Sequence, residues 1–359
     1  MKTIFIATSK PGNARPDYFF KLAEAFAKNN YKVFIFLDKK AQIKINHQNI
    51  TCFAWPNFRP TGLKDFLFLV RKLKEYKPDT LISSFGSVSI MNLAGKLFSV
   101  KNRVNYVLSV VELFSSSGNT IKLNFLKQRK KSIYSLSTLI VGNSEGTIKG
   151  FSDYYGFKKT PTLLLPNLIK ISNLTYKNKS QRSYQLLIAG NLIKLKGHKE
   201  LIKQFKIVVK RHPNLKLVIL GEGEEKNNLI EQVNKLRLNA SVIFKEKVPH
   251  SQVGFIFSDS LIHISSSYHE AFGFVNIEAL REGTPIISTS TEGALGIVRE
   301  NQNGEFFTHH NEYSLGEKVD KILRDWSHYS IEAKKSFERK YSLEENIESH
   351  KKQLLDNLK

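Results

Sequence analysis

Two carboxylates in the second half of the chain carry the clearest chemical signal. Glu270 and Glu278 stand eight positions apart on either side of a short apolar turn. The apolar pattern before them predicts a strand that ends at about Ser265, and Gly273 is predicted to open a helix. Because backbone N–H groups at a helix start form an anion site, the segment is predicted to cradle a phosphate group. The predicted donors are the backbone amides of Phe272, Gly273, Phe274 and Val275.

The two carboxylates are expected to bind hydroxyl groups. Like charges repel, so Glu270, in the loop before the helix, is not suited to bind the anion itself. It is expected to accept hydrogen bonds from hydroxyls on the molecule that carries the phosphate, and Glu278 to do the same for a second set. The alternative is that both are ordinary solvated acids of a loop and a helix.

A second loop is predicted to supply a cation. The apolar run 185–190 predicts a strand, and a helix is expected to begin near His198. Lys196 lies in the connecting loop, from which its flexible side chain can reach the phosphate. The alternative is a solvated loop lysine. The sequence contains no Asp-x-Asp and no P-loop, so no metal ligands are predicted, and the phosphate charge is left to the helix start and Lys196.

Apolar runs alternate with helical patterns along the whole chain, which predicts an α/β fold with parallel sheets covered on both faces. A polar stretch from 166 to about 180 indicates a linker between two doubly wound, Rossmann-like domains. The expected domains are 1–170 and 171–330, and terminal helices over 331–359 are expected to pack back on the first. The predicted strands are 4–7, 33–37, 80–82, 104–108, 139–141, 185–190, 215–220, 242–244, 261–265 and 285–288.

Ligands of such folds bind at the carboxyl ends of the strands, so a cleft between the domains is the expected site. Gly12 and Asn13 follow the first predicted strand and are expected to face this cleft. Gly12 allows a close backbone approach to a ligand. This loop is therefore predicted to lie on the side of the site formed by the first domain.

Composition limits the classes of function. The chain has 359 residues, enough for two domains, and its 41% hydrophobic content is ample for burial. Its single cysteine, Cys52, excludes an internal disulfide. The apolar start is too short for a signal-peptide core, and no stretch approaches the roughly 20 apolar residues of a membrane span. A cytoplasmic location is therefore expected.

The net charge of +23 is concentrated in the first half of the chain. Residues 1–170 hold 27 Lys and Arg against 9 Asp and Glu, whereas residues 171–359 hold 28 against 23. The first half is expected to meet an anionic partner, which is a membrane surface, a nucleic acid or an acidic acceptor. The densest segment, 122–131, predicts a basic amphipathic helix suited to anionic lipid. The alternative is the solvated face of an ordinary core helix.

The second half resembles the retaining glycosyltransferases of family 4, which have the two-domain GT-B fold. The resemblance covers about residues 185–307. It rests on the Glu-x7-Glu element from Glu270, Ala279-Leu-x-x-Gly283-Thr-Pro285, the loop from Gly190 to Lys196-Gly197, Leu220-Gly-x-Gly223, and Asn303-Gly304 before Phe306-Phe307.

The resemblance implies a role for each element of the donor site. Glu270 and the amides after it would contact the sugar and the diphosphate, and Glu278 would hold the ribose hydroxyls. Lys196 would neutralise the leaving diphosphate. The implied reaction is transfer with retention, in which stabilisation of the leaving group carries most of the catalysis.

Three departures from the family pattern stand out. Asn191 replaces the usual Arg after the first glycine, Gly190, and Lys194 is the expected substitute for the missing cation. The family's first-domain His has no counterpart, since the similar segment ends at Glu112, which is assigned to the acceptor side with Gly12 and Asn13. Gly296 replaces the final Glu of a Gly-Gly-x-x-Glu element.

The expected function is metal-independent transfer of a hexose or derivative from a nucleotide-diphosphate sugar, with UDP as the expected nucleotide and no cofactor. The basic first domain favours a lipid-linked or other membrane-borne acceptor, in cell-surface polysaccharide or glycolipid assembly at the inner face of the cell membrane. One alternative is a GT-B sugar-nucleotide epimerase. Another is a basic protein that binds nucleic acid or membrane without catalysis. Nucleic acid is not the expected partner, because the basic residues follow helical spacing. A third alternative is a family member without catalytic activity that acts as a partner subunit.

Overall fold

The computed structural model describes residues 1–12, 14–38, 45, 47–57, 60–108, 120–157 and 160–359. Contacts divide the chain into two compact units. Unit 1 is Met1–Lys170 with Leu343–Lys359, and unit 2 is Ile171–Ser342. The first division therefore lies where the linker was expected. The cleft expected between the domains stays a prediction.

Unit 1 is built on a parallel sheet with strand order β3-β2-β1-β4-β5-β6-β7. Its central strands are buried on both faces, which explains their unbroken apolar sequences: every residue of β1, TIFIA, is buried. The edge strands β3 and β7 were not predicted. The strands are β1 Thr3–Ala7, β2 Lys32–Leu37, β3 Ile50–Ala54, β4 Thr80–Ser84, β5 Asn102–Val107, β6 Leu139–Gly142 and β7 Thr162–Leu164.

Helices lie between most strands of this sheet, as the alternation of apolar runs with helical patterns predicts. In α1, Phe19, Leu22 and Phe26 lie on one face and are fully buried. The predicted basic helix is present as α4, in which Arg129 and Lys130 are exposed. The helices are α1 Ala14–Lys28, α2 Leu63–Tyr76, α3 Val88–Leu97, α4 Thr120–Tyr134 and α5 Glu145–Tyr155.

Unit 2 repeats the architecture with strand order β10-β9-β8-β11-β12-β13, again parallel. Every predicted strand of this half is present, and the short edge strand β13 was not predicted. The strands are β8 Ser183–Ala189, β9 Lys216–Leu220, β10 Val242–Lys245, β11 Ser260–Ser265, β12 Ile286–Ser288 and β13 Gly304–Phe306. The helices are α6 His198–Arg211, α7 Lys226–Lys235, α8 His250–Ser258, α9 Phe274–Arg281, α10 Glu292–Leu295, α11 Ser314–Arg324 and α12 Trp326–Lys340.

The predicted terminal segment 331–359 needs a correction, because it is divided between the units. Helix α12 begins before it and packs on α9 of unit 2, where Trp326 Nε1 donates a hydrogen bond to the Leu261 carbonyl. Only the last helix, α13 Leu343–Asp356, returns to unit 1 and packs on α1. The boundary therefore lies after Ser342 and not after residue 330.

Strand order locates the candidate sites. In each sheet, strands are added first on one side of the first strand and then on the other. This switch in strand order lies between β1 and β4 in unit 1 and between β8 and β11 in unit 2. The loops that leave such neighbouring strands turn to opposite faces and open a crevice at the carboxyl edge. Chemistry is therefore expected after β1 and β4 and after β8 and β11.

Candidate functional site

In unit 2, the loops that follow β8 and β11 are joined to each other. Gly197 has a φ of 64°, and a Cβ there would lie 2.1 Å from the Ser266 carbonyl oxygen, so only glycine allows this approach. Ser266 Oγ donates to the Lys196 carbonyl at 2.7 Å, and the Tyr268 amide donates to the Leu195 carbonyl at 2.9 Å. These contacts hold the two loops as one surface.

The loop after β9 joins the same surface. The Gly190 amide donates to the Leu220 carbonyl at 3.0 Å, and the Leu192 amide donates to the Glu222 carbonyl at 2.8 Å. The side chains of Asn191 and Lys194 are exposed beside these contacts. Both are therefore accessible to a ligand, and their binding to the donor stays a prediction.

Lys196 and Glu270, which the sequence assigns to the diphosphate and the sugar, form an ion pair. Lys196 Nζ lies 2.6 Å from Glu270 Oε2, and the two side chains are 24% and 20% exposed. A short, half-buried pair of this kind is less screened by solvent than a surface pair. The structure thus brings a cation together with the carboxylate that the sequence predicts to bind hydroxyls, at the carboxyl edge of the sheet.

Helix α9 begins directly beside this pair. Gly273 precedes it with a φ of 92°, and a Cβ there would lie 2.8 Å from Asn276 Nδ2. The amides of Asn276 and Ile277 donate to the Gly273 carbonyl, so the helical ladder begins with them. Phe272 is buried, while Phe274 and Val275 are half-buried. The predicted helix start is present, and its dipole favours an anion beside Lys196.

The short helix α10 supports the loop that carries Glu270. The Gly293 amide donates to the Glu270 carbonyl at 2.8 Å. A Cβ on Gly293 would lie 2.7 Å from the backbone of Phe272. The segment 292–296, which departs from the family pattern at Gly296, therefore lies against the loop that carries Glu270.

Glu278 lies in α9 and is 7% exposed. Burial raises the pKa of its carboxyl group, which His250 and Arg281 lower and Glu282 raises further. His250 begins α8, and its Nε2 lies 3.6 Å from Glu278 Oε1. His250 carries no signal in the sequence, because its proximity to Glu278 depends on how α8 and α9 pack.

Two histidines next to these loops are buried, His263 in β11 and His198 at the start of α6. His263 Nδ1 lies 3.0 Å from the Leu187 carbonyl, and burial lowers its pKa to about 4, against opposing effects of Leu187 and Asn276. Burial, with a smaller effect of Lys196, lowers the pKa of His198 to about 4. Both rings are therefore neutral near pH 7. His263 was hidden in the sequence by its apolar neighbours in β11.

Unit 1 has a pocket of about 510 Å³ at the carboxyl edge of its sheet. Its lining includes Ser9, Arg15, Asp38, Trp55 and Phe85. These residues follow β1, β2, β3 and β4, so the pocket occupies the crevice expected from the strand order.

The residues predicted for the acceptor side are only partly described. Gly12 is exposed in the loop between β1 and α1, with a φ of 126°, and its amide donates to Asp17 Oδ1 at 3.0 Å. Asn13 and Glu112 lie outside the described residues. The pocket lining lies on either side of this loop, at Ser9 and Arg15.

The described residues offer neither a cluster of metal ligands nor a membrane span. Within them, no group of three His, Cys, Asp or Glu side chains is placed to hold a metal ion. In the same part of the chain, no helix combines the length and the apolar character needed to cross a bilayer.

The model of the family described as "Glycosyl transferases group 1" matches residues 173–340, nearly all of unit 2. An uncharacterized glycosyltransferase of Methanocaldococcus jannaschii is 30% identical over 273 residues, which is 70% of this chain and 65% of that protein. The poly(glycerol-phosphate) alpha-glucosyltransferase of Bacillus subtilis is 29% identical over 48% of this chain and 26% of its own length. The chain thus spans less than two thirds of either relative.

The solved structure of Anabaena HepE in complex with UDP matches the whole chain. Its TM-score is 0.75 at 17% identity, with 100% of both chains covered. Identity this low is evidence for the fold alone, and the fold is GT-B, as the resemblance predicted. In sequence the chain is similar to glycosyltransferases, over unit 2 for the family model and over 70% of the chain for the Methanocaldococcus relative.

Proposed function

We propose that this chain is a retaining glycosyltransferase of family 4, which moves a hexose or derivative from a nucleotide-diphosphate sugar to an acceptor hydroxyl. The main observation that supports this proposal is the Lys196–Glu270 ion pair beside the start of α9. It combines an anion-binding helix start, a cation and a hydroxyl acceptor in one loop cluster. The family match over unit 2 supports the same proposal.

In the proposed site, each part of the donor molecule binds to a different one of these groups. The amides at the start of α9 and the Lys196 ammonium stabilise the diphosphate as its bond to the sugar carbon breaks. Glu270 accepts hydrogen bonds from sugar hydroxyls, and Glu278 from the ribose. The acceptor oxygen forms the new bond on the face that the diphosphate leaves, and a diphosphate oxygen takes its proton. No side chain is then needed as a strong general base.

The proposed donor nucleotide is UDP, and the proposed chemistry uses no metal ion. The HepE structure of similar fold was solved in complex with UDP, and the proposal extends this nucleotide to the present chain. A thermal-shift screen with UDP, GDP and ADP, followed by assays of diphosphate release from the matching sugars, tests the proposal. We expect UDP to raise Tm and release from a UDP-sugar to proceed equally in EDTA. The absence of a shift and of turnover with every nucleotide would contradict the proposed function, and strong inhibition by EDTA would contradict metal independence.

The proposed acceptor is a lipid-linked sugar or another membrane-borne acceptor in cell-surface polysaccharide or glycolipid assembly, reached at the inner face of the membrane. The excess of 27 Lys and Arg over 9 Asp and Glu in residues 1–170 supports an anionic environment. The name of the Bacillus relative specifies poly(glycerol-phosphate), an anionic polymer. The relatives named above give no support to the epimerase alternative.

A further inference from the structure

Phe85 combines two unfavourable features at the edge of the unit 1 pocket. Its backbone is left-handed, with a φ of 51°, and its side chain is 54% exposed. An aromatic residue rarely adopts this conformation, which destabilises the fold. A glycine at this position would adopt the left-handed conformation without strain. The sequence therefore retains an exposed aromatic ring where glycine would favour stability.

Neighbouring groups hold the Phe85 turn and ring in place. Ser87 Oγ donates to the Ser84 carbonyl at 2.9 Å and closes the turn. The Arg15 guanidinium carbon lies 5.0 Å from the centre of the Phe85 ring, within range of a cation–π interaction. The ring is thus presented in a defined orientation although more than half of it is exposed.

The pocket behind the ring combines apolar surface with hydrogen-bonding groups. Trp55 and Phe19 are each 2% exposed and contribute buried aromatic surface. Asp38, whose pKa is raised by burial, and Ser9 contribute polar groups. Such a combination suits a ligand with an apolar face and a polar rim.

A sugar ring has this character, because its C–H groups share a face and its hydroxyls form the rim. The lining also carries both a cation, Arg15, and an anion, Asp38, which suits an uncharged ring better than a phosphate. The volume of about 510 Å³ has room for one or two such rings.

We propose that Phe85 is the platform on which an uncharged sugar ring of the acceptor stacks, with Asp38 accepting hydrogen bonds from its hydroxyls. That the bound sugar belongs to the acceptor rests on the proposed function. The stacking site itself is inferred from the residues of unit 1 alone.

Saturation-transfer NMR on the full chain tests this site with methyl β-glucopyranoside, methyl β-galactopyranoside and methyl β-N-acetylglucosaminide as probes. We expect saturation of at least one glycoside, concentrated on the protons of one ring face. Phe85→Ala is expected to reduce the signal at least fivefold, and Phe85→Tyr to retain it. Phe125→Ala is the matched control, because Phe125 is 68% exposed in the same unit and does not line the pocket.

Phe85→Gly provides a second readout that a purely structural role would not produce. It relieves the left-handed strain, so Tm is expected to rise by about 2–4 °C while glycoside saturation is lost. A lower Tm together with unchanged saturation would overturn the proposal. So would the absence of saturation with all three glycosides, or an equal signal in Phe85→Ala and the wild type.

A UDP thermal shift in the same samples separates this inference from the proposed function. If UDP binds and is released from a UDP-sugar but no glycoside is saturated, the platform is wrong and the transferase stands. If a glycoside stacks on Phe85 and no nucleotide binds, the sugar site stands and the transferase is wrong.

Discussion

Lys196 Nζ contacts Glu270 Oε2 at 2.6 Å, so two side chains with different proposed roles at the donor neutralise each other. In the proposed reaction the lysine faces the diphosphate and the carboxylate faces the sugar. Removing either side chain would leave the other half-buried charge without this partner. A change in either side chain is therefore expected to affect the role of the other.

Removing the cation tests this relationship. Lys196→Ala is expected to lower the turnover number about 10²–10³-fold, the range for losing one group that stabilises a developing charge. Lys203→Ala, an exposed lysine of α6, is the control and is expected to retain turnover. Steady-state kinetics with a UDP-sugar distinguish the two. A Lys196→Ala enzyme with unchanged turnover and a raised KM would assign the lysine to binding alone.

Donor affinity is expected to depend on the protonation of Glu278. Only the ionised carboxylate accepts hydrogen bonds from both ribose hydroxyls, and burial raises the pKa of this group. UDP binding should therefore weaken as pH falls, beginning at a higher pH than for an ordinary glutamate. Calorimetry between pH 4.5 and 8 measures this dependence.

Variants of the same pair sharpen the pH test. Glu278→Gln is expected to weaken UDP binding by about 1–3 kcal/mol at pH 8 and to remove the pH dependence. His250→Ala should shift the decline to higher pH, because His250 lowers the pKa of Glu278. A wild-type affinity that is constant across this range would show that the carboxylate does not bind the ribose.

Most of the fold follows from the sequence because central parallel strands are buried on both faces and appear as continuous apolar runs. The missed strands β3, β7 and β13 all lie at sheet edges, where exposed residues interrupt the run or only three residues pair. The boundary after residue 330 was wrong because a helical pattern does not specify which sheet the helix covers. Helix α12 covers unit 2 and α13 covers unit 1.

The geometry of the candidate site in unit 2 could be predicted from the sequence only where one segment of chain encodes it. Glu270, Gly273 and Glu278 share one strand-loop-helix unit, so their spacing carries the signal. The proximity of His250 to Glu278 was missed because it depends on tertiary packing. The Phe85 pocket was missed because it forms from loops that follow four strands.

Acid is expected to destabilise unit 2 through Glu305, a residue with no role in the proposed chemistry. Burial would raise its pKa, but hydrogen bonds from Lys321, Tyr329, the Asn301 amide and Lys318 outweigh that effect and lower it to about 2. A depressed carboxylate pKa stabilises the fold above the ordinary value near 4.5, and this stabilisation is lost as pH falls towards 2.

Urea unfolding at pH 7 and pH 3 measures the Glu305 contribution. Glu305→Gln is expected to destabilise the protein on the order of 3 kcal/mol at pH 7 and less at pH 3. Glu300→Gln, which removes an exposed carboxylate 3.6 Å from Lys318, is expected to change stability by at most about 1 kcal/mol. Equal destabilisation by Glu305→Gln at both pH values would refute the linkage.

Membrane attachment through α4 is expected to be electrostatic. Flotation with vesicles of phosphatidylglycerol should recover the protein at low salt and release it at high salt. Arg129→Glu changes an exposed charge of α4 and should weaken recovery, whereas Lys352→Glu makes the same change in α13 and serves as control. Recovery that is absent at low salt, or insensitive to salt, would rule out this mode of attachment.

Glu270 offers the most direct test of the proposed transfer reaction. Glu270→Gln removes the charge that accepts sugar hydroxyls and leaves the helix start and Lys196 in place, with Glu292→Gln as an exposed control on the adjacent α10. The decisive measurement pairs sugar transfer from a UDP-sugar with calorimetric binding of UDP. We predict that Glu270→Gln loses transfer at least 100-fold while its affinity for UDP stays within about threefold of the wild type. Transfer at the wild-type rate, or loss of transfer and UDP binding together, would contradict it.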